Sequence, residues 1–206
     1  AKRVIAVTYL FEGSVLDCFL KLKGFKTKPF TDVDTFKNIT PKFYRDLVTL
    51  VPPDSKTVKY PMTSTWWENK ATSDEINDIT NYIIRNARKY AGDSKYVYWT
   101  TPKKRAKGVT VKARKNYTLV NPIGFVYYKE DGEKKPCWLS SHTRATNDYN
   151  YKTVAIQCYN KYPLHDVDCY LKDYGYPIDS KNYCLSECLQ WFFRGCVRSD
   201  LPMVWC

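Results

Sequence analysis

The chain has 206 residues and carries 33 Lys and Arg against 21 Asp and Glu, a formal charge of +12. Hydrophobic residues make up 44% and aromatics 16%, which excludes a disordered chain and provides enough apolar surface for a core. No window approaches the roughly 18 apolar residues of a membrane-spanning helix, and the charge suits a polyanionic partner.

The chain opens with AKRVIAVTYLFEG, whose apolar run is broken by Thr8 and Glu12, so the sequence predicts a mature chain without its leader, or an excised piece of one. Residues 3–10, RVIAVTYL, read as a strand. In SVLDCFLKL, residues 14–22, Val15, Leu16, Phe19 and Leu20 fall at helical spacing. ITPKFYRDLVTLVPP predicts a second helix: Thr40 caps it, Phe43, Leu47 and Leu50 share a face, and Pro52 and Pro53 end it.

The strongest helical pattern is TSDEINDITNYIIRNARKYAG. Thr72 and Glu75 form a capping box, and Ile76, Ile79, Ile83, Ala87 and Tyr90 form one apolar stripe. Acidic residues open it, basic residues close it, and Gly92 stops it. The pattern then turns to strands in SKYVYWTT, GVTVKARKNYTLV, GFVYYKEDGEKKPCWLSS and YKTVAIQCYNKY, with a hairpin turn at Glu130-Asp131-Gly132-Glu133. A final helix over roughly 181–194 is read with Cys184, Leu185, Cys188, Leu189 and Phe192 facing inward and Gly195 as its stop. The expected fold is α+β, in one domain spanning residues 1–206. Helices lie mainly in the N-terminal half, an antiparallel β meander occupies residues 95–160 or so, and a disulfide-rich C-terminal segment carries the late helix.

The eight cysteines, Cys18, Cys137, Cys158, Cys169, Cys184, Cys188, Cys196 and Cys206, are even in number and contain no CxxC pair. Zinc ribbons and thioredoxin-like sites lean on such short spacings, so the pattern reads as a disulfide framework in an oxidising compartment. Cys18 would then bond to a cysteine at or beyond 137, a crosslink contributing about 4–5 kcal/mol in the chain-entropy model. Two sequons, at Asn38 and Asn116, agree with secretion.

The candidate polyanion-binding residues are Lys103, Lys104, Arg105, Lys107, Lys112, Arg114 and Lys115, an acid-free stretch flanked by Tyr96, Tyr98, Trp99 and Tyr117. Basic residues interleaved with aromatics suit single-stranded nucleic acid, and a sulfated glycan needs the same charge with less stacking. The plain reading is a solvated hairpin edge that blocks strand pairing. His142 and His165 are the two histidines. With a lysine they could act as acid and base on RNA. His165 with Asp166 and Asp168 could hold a divalent metal, although turn-forming aspartates explain them as well. Trp66-Trp67 before Glu68 could stack a sugar or simply fill a core.

Eight tyrosines fall between Tyr149 and Tyr183, and Tyr170, Tyr174 and Tyr176 are the candidate partner-binding residues. In composition the chain resembles secreted salivary, venom and parasite effector proteins. The expected function is therefore a secreted, non-enzymatic, disulfide-stabilised binder of an extracellular protein, an immune or haemostatic modulator with a basic glycosaminoglycan-binding face and no metal or cofactor. The alternatives are a secreted nuclease using His142 and His165, and a small-ligand carrier with an aromatic pocket.

Overall fold

Four short apolar runs, VTL, VYWT, VAIQ and MVW, carry the architecture. The computed structural model describes residues 10–28, 45–106, 118–122, 126–128, 132–143 and 146–206. In chain order its regular elements are α1 (Val15–Leu22), β1 (Val48–Leu50), α2 (Ser73–Ala91), β2 (Val97–Thr100), β3 (Val126–Tyr128), β4 (Lys134–Pro136), β5 (Val154–Gln157), α3 (His165–Asp173), α4 (Ser180–Phe192) and β6 (Met203–Trp205). The chain divides into two compact units: residues 1–41 with 161–190, and residues 42–160 with 191–206.

The larger unit is built on a four-stranded sheet in the order β1-β6-β5-β2. Every neighbouring pair is parallel, with Val48 opposite Met203, Val154 opposite Val204, and Val97 to Thr100 opposite Val154 to Gln157. Side chains alternate between the two faces of a strand, and both faces here are covered. Val97, Trp99, Val154 and Ile156 pack with Ile76, Ile79 and Ile83 of α2. Tyr98, Ala155 and Met203 pack with Trp191, Phe192, Cys196 and Val197 on the opposite face. Tyr98 donates its hydroxyl to the Phe192 carbonyl at 2.7 Å, which satisfies a fully buried phenol. Residues 137–139 extend the sheet beside β2 through a parallel bridge from Trp138 to Trp99.

This corrects the expected antiparallel meander. β2 and β5 both lie inside residues 95–160, yet they pair parallel. A strand buried on both faces reads as a continuous apolar run, and that is what VYWT and VAI are. A parallel pair needs a long connection, and residues 101–153 supply it. The single antiparallel ladder among the described residues is β3 with β4, Val126 to Tyr128 against Pro136 to Lys134. Its turn falls mostly on residues outside the described set, although Gly132 has φ +81°, the left-handed backbone that a hairpin turn uses.

α2 forms as its sequence predicts. Thr72 Oγ1 accepts from the Glu75 N–H at 3.3 Å and Glu75 Oε2 accepts from the Thr72 N–H at 2.8 Å. Replacing Thr72 by Ala is expected to lower stability by about 1 kcal/mol, read as a shift of the urea midpoint without a change in slope. Gly92 follows the helix at φ +68°. The helix expected over residues 40–50 is cut short: residues 45–47 are helical, but Val48–Leu50 is β1, since pairing with β6 outweighs the helical spacing of Leu47 and Leu50. The predicted strand at 3–10 falls almost entirely outside the described residues.

In the smaller unit α1 and α3 close over a small core of Cys18, Leu171 and Ile178. Asp17, at the start of α1, is buried and accepts from the Gly13 N–H at 2.9 Å and from Lys21 Nζ at 2.7 Å. Asp166 and Asp168 occupy the first turn of a helix rather than a turn-rich loop, a position that the macrodipole favours. Of the residues expected to face inward on α4, Phe192 is buried, Cys184, Cys188 and Leu189 are half-buried and Leu185 is 46% exposed, while Ser186 and Trp191 are buried in addition. No helix among the described residues is long and apolar enough to cross a membrane.

All eight cysteines are free thiols. The disulfide framework, the crosslink from Cys18 and the disulfide-rich C-terminal segment are thereby corrected. Cys137, Cys158 and Cys196 are buried as small apolar side chains, the ordinary fate of an unpaired cysteine. Cys18 Sγ donates to the Pro177 carbonyl at 3.5 Å.

Candidate functional site

Open parallel sheets present their ligand crevice outside the carboxyl ends of the strands. In the larger unit that edge is formed by the residues after β2, β5 and β1. β2 leads through Thr101 and Pro102 into a short 3-10 turn, Lys103–Arg105. β5 leads into Cys158, Tyr159 and Asn160. Residues Trp66–Lys70 lie across the same edge as a π-helical turn, because Trp67 Nε1 donates to the Cys158 carbonyl at 3.1 Å.

Three contacts shape this edge further. Ser64 Oγ and the Tyr159 hydroxyl share a 2.7 Å hydrogen bond. Asn160 donates its N–H to the Met62 carbonyl and its Nδ2 to the Pro61 carbonyl, both at 2.9 Å. Lys104 Nζ lies 3.5 Å from Glu68 Oε1, with the two side chains 75% and 51% exposed. An ion pair so open to water holds little energy and leaves the lysine able to exchange partners. Thr100, in register beside Gln157 at the ends of β2 and β5, is buried, and its Oγ1 makes no hydrogen bond among the described residues.

The predicted polyanion-binding residues divide here. Lys103 and Lys104 are exposed at the carboxyl edge. Arg105 is 4% exposed, and its guanidinium is spent on the protein. Nε donates to the Trp67 carbonyl at 2.9 Å, Nη2 donates to the same oxygen, and Nη1 donates to the Thr118 carbonyl at 3.0 Å. Arg105 is thus a scaffold residue, a correction to its reading as a surface cation. Lys107, Lys112, Arg114 and Lys115 lie outside the described residues, as do Asn38 and Asn116.

The other candidates scatter. His142 is exposed in a turn, with Nδ1 3.4 Å from Ser141 Oγ. His165 opens α3 in the smaller unit, where its ring nitrogens lie 3.6 and 3.7 Å from Cys169 Sγ. Among the described residues no three His, Cys, Asp or Glu side chains gather as a metal site would require. Tyr170 and Tyr174 are exposed with ring centroids 4.9 Å apart, and Tyr176 packs at the margin of the small core. Trp66 and Trp67 are buried, so the sugar-stacking reading gives way to the core.

The loop after β1 decides what the edge can hold. A dinucleotide site of the G-x-G-x-x-G kind uses backbone N–H groups to cradle a pyrophosphate. Here β1 runs into Val51-Pro52-Pro53, and proline has no N–H. The Lys56 and Thr57 donors are taken within the loop, since Asp54 Oδ1 accepts from the Lys56 N–H at 3.1 Å and from the Thr57 N–H and hydroxyl at 2.7 and 2.8 Å. Burial alone would raise the Asp54 carboxyl, but the bonds from Thr57 and the Arg85 guanidinium outweigh it and hold it at about 2. Beyond it, the Tyr60 hydroxyl and Lys56 Nζ donate to Asp78 at 2.9 and 3.1 Å, and these bonds keep Asp78 below the usual carboxylate range. This network is closed on itself and does not fit a dinucleotide.

The geometry defines a small parallel α/β domain of Rossmann-like architecture. Residues 43–205 match the family described as YonV C-terminal Rossmann-like domain, and the chain belongs to that family. It is also similar to the SPbeta prophage-derived uncharacterized protein YonV of Bacillus subtilis (strain 168), 24% identical over 215 residues that cover 96% of this chain and 47% of that protein. The chain therefore spans about half the length of that relative. No solved structure matches. Together with the free thiols, the family overturns the secreted, disulfide-bonded, glycosylated immune modulator.

Sequence reading missed Ser64, Thr100 and Tyr159. Ser64 and Tyr159 meet across 95 residues, and Thr100 stands in register beside Gln157 only through the parallel pairing of β2 with β5, which no local pattern announces. It also missed Lys152, which is 1% exposed at the opposite end of the sheet. Its Nζ donates to the Lys95 and Val97 carbonyls at 2.8 and 2.9 Å. A cavity of about 130 Å³ beside it is lined by Tyr98, Cys137, Trp138 and Tyr149 among others.

Proposed function

We propose that the domain binds nucleic acid at the carboxyl edge of its parallel sheet, with Lys103 and Lys104 contacting phosphates. The observation that carries this reading is the position of two adjacent exposed lysines in the first turn beyond β2, at the end of the sheet where this architecture receives ligands. The overall charge of +12 supplies the longer-range attraction. A polymeric ligand is favoured over a single nucleotide because the turn after β1 offers prolines and a self-satisfied Asp54 in place of a phosphate cradle.

The test is fluorescence anisotropy with single- and double-stranded oligonucleotides between 50 and 200 mM salt. Affinity is expected to fall steeply with salt, and Lys103→Ala with Lys104→Ala to reduce the slope of log K against log salt on single strands by about 1.4, two contacts at roughly 0.7 each. Charge reversal of both to Glu is expected to weaken binding at least tenfold. Salt slope and affinity unchanged in the double variants would overturn the site. Binding with equal affinity to heparin would reduce the ligand to a generic polyanion.

A further inference from the structure

The smaller unit carries a pair of metal-ligating side chains that the sheet edge does not use. His165 and Cys169 are four residues apart on α3, so one helical turn stacks them on the same side. His165 is exposed and Cys169 half-buried. Cys169 Sγ lies 3.6 Å from His165 Nε2 and 3.7 Å from His165 Nδ1.

We propose that His165 and Cys169 form half of a zinc site, and that the same pair on a second copy of the chain completes it as a Cys2His2 centre on the two-fold axis of a dimer. Zinc holds a thiolate sulfur at about 2.3 Å and an imidazole nitrogen at about 2.0–2.1 Å. At the tetrahedral angle those bonds set sulfur and nitrogen about 3.5–3.6 Å apart. The pair already stands at that separation, so the backbone need not move. Turning the ring aims one nitrogen at the ion, and the thiol proton passes to solvent as the ion binds.

The donors select the metal. Thiolate and imidazole together suit zinc, whereas magnesium and calcium take oxygen ligands. The ion lies at the amino end of a helix, whose partial positive charge opposes it. Asp166 and Asp168 in the same turn carry the compensating charge, and the thiolate adds its own. One chain does not close the site: among the described residues no three His, Cys, Asp or Glu side chains gather. Structural zinc is almost always four-coordinate, so two positions stay open. A second copy fills both with one sulfur and one nitrogen, and two-fold pairing is the commonest closed assembly.

The experiment titrates the reduced full chain with cobalt(II), a spectroscopic stand-in for zinc, and then with zinc itself. Absorbance and molar mass by light scattering are followed together. The expected result is a thiolate-to-cobalt charge-transfer band with the intense visible bands of a tetrahedral ion. These bands should saturate at one ion per two chains and vanish when zinc displaces cobalt. The molar mass should double with either metal, return on adding a chelator, and stay unchanged with magnesium. Cys169→Ser should abolish the charge-transfer band and the dimer, and His165→Ala should abolish the dimer. Serine keeps the size of the cysteine and His165 is exposed, so both variants keep the fold. Absence of binding, saturation at one ion per chain without a change in mass, or a dimer that survives either substitution would each overturn the proposal.

Discussion

Replacing Lys152 by Met is expected to destabilise the fold by about 2 kcal/mol at pH 7, and by more as the pH rises. Methionine keeps the length and the apolar stem of the side chain, so packing beside Tyr98 and Cys137 is preserved and the loss falls on the head group. Two carbonyls, of Lys95 and Val97, then lose the donor at 2.8 and 2.9 Å, the second of them at a buried bond. These carbonyls stand just before and within β2, so Lys152 joins the amino ends of β2 and β5 much as a ladder bond would.

The pH dependence follows from the same burial. Removal from water lowers the Lys152 ammonium to about 8, with Cys137 and Asp93 acting weakly the other way. Between pH 8 and roughly 10.5 the unfolded lysine still holds a proton that the folded one has released, so this group makes stability rise with pH. The penalty for burying the charge is full below pH 8 and is gone above the unfolded value. A neutral amine still donates to both carbonyls, so the gain keeps the clamp. Cys137, Cys206 and Tyr82, all raised by burial, oppose this trend in the same range. The decisive quantity is therefore the difference between wild type and variant, measured by urea unfolding at pH 7 and pH 10. It should grow by up to about 3 kcal/mol, the free energy of a 2.5-unit shift. Equal stability at pH 7 and a constant difference at pH 10 would mean that Lys152 is not a clamp.

What the sequence made legible was local. α2 could be placed to the residue because its cap, stripe, charges and stop all agree, each a signal that acts within a few residues. The β-runs at 97–100 and 154–157 were visible for the same reason. Their partnership was not, because parallel pairing across the 53 residues from 101 to 153 leaves no trace in either run alone. The run VYWT has no polar face, and that continuity was the available sign of a sheet covered on both sides. Its neighbour YKTVAIQ was harder, because Lys152 reads as a surface residue until the fold encloses it. The cysteines misled for a related reason. Their even count fits a framework, but burial as small apolar residues uses thiols equally well, and the choice depends on distances that only the fold sets.

Replacing Arg105 by Met separates scaffold from ligand contact within a single basic stretch. Lys103 and Lys104 are exposed, whereas the next residue sends the same kind of charge inward. Its fork spans the Trp67 carbonyl on the turn across β5 and the Thr118 carbonyl, joining two segments far apart in sequence. Methionine leaves two carbonyls without these donors and removes the charge that held them, so a loss of about 3 kcal/mol is expected. Lysine should recover only part of it, because a single ammonium does not reproduce the planar fork. Measured at 10 °C on whatever remains folded, oligonucleotide affinity and its salt slope should match wild type, the opposite of the Lys103 and Lys104 variants. If Arg105→Met kept its stability and lost binding, the guanidinium would be reaching the nucleic acid, and the carboxyl edge would have to be redrawn around it.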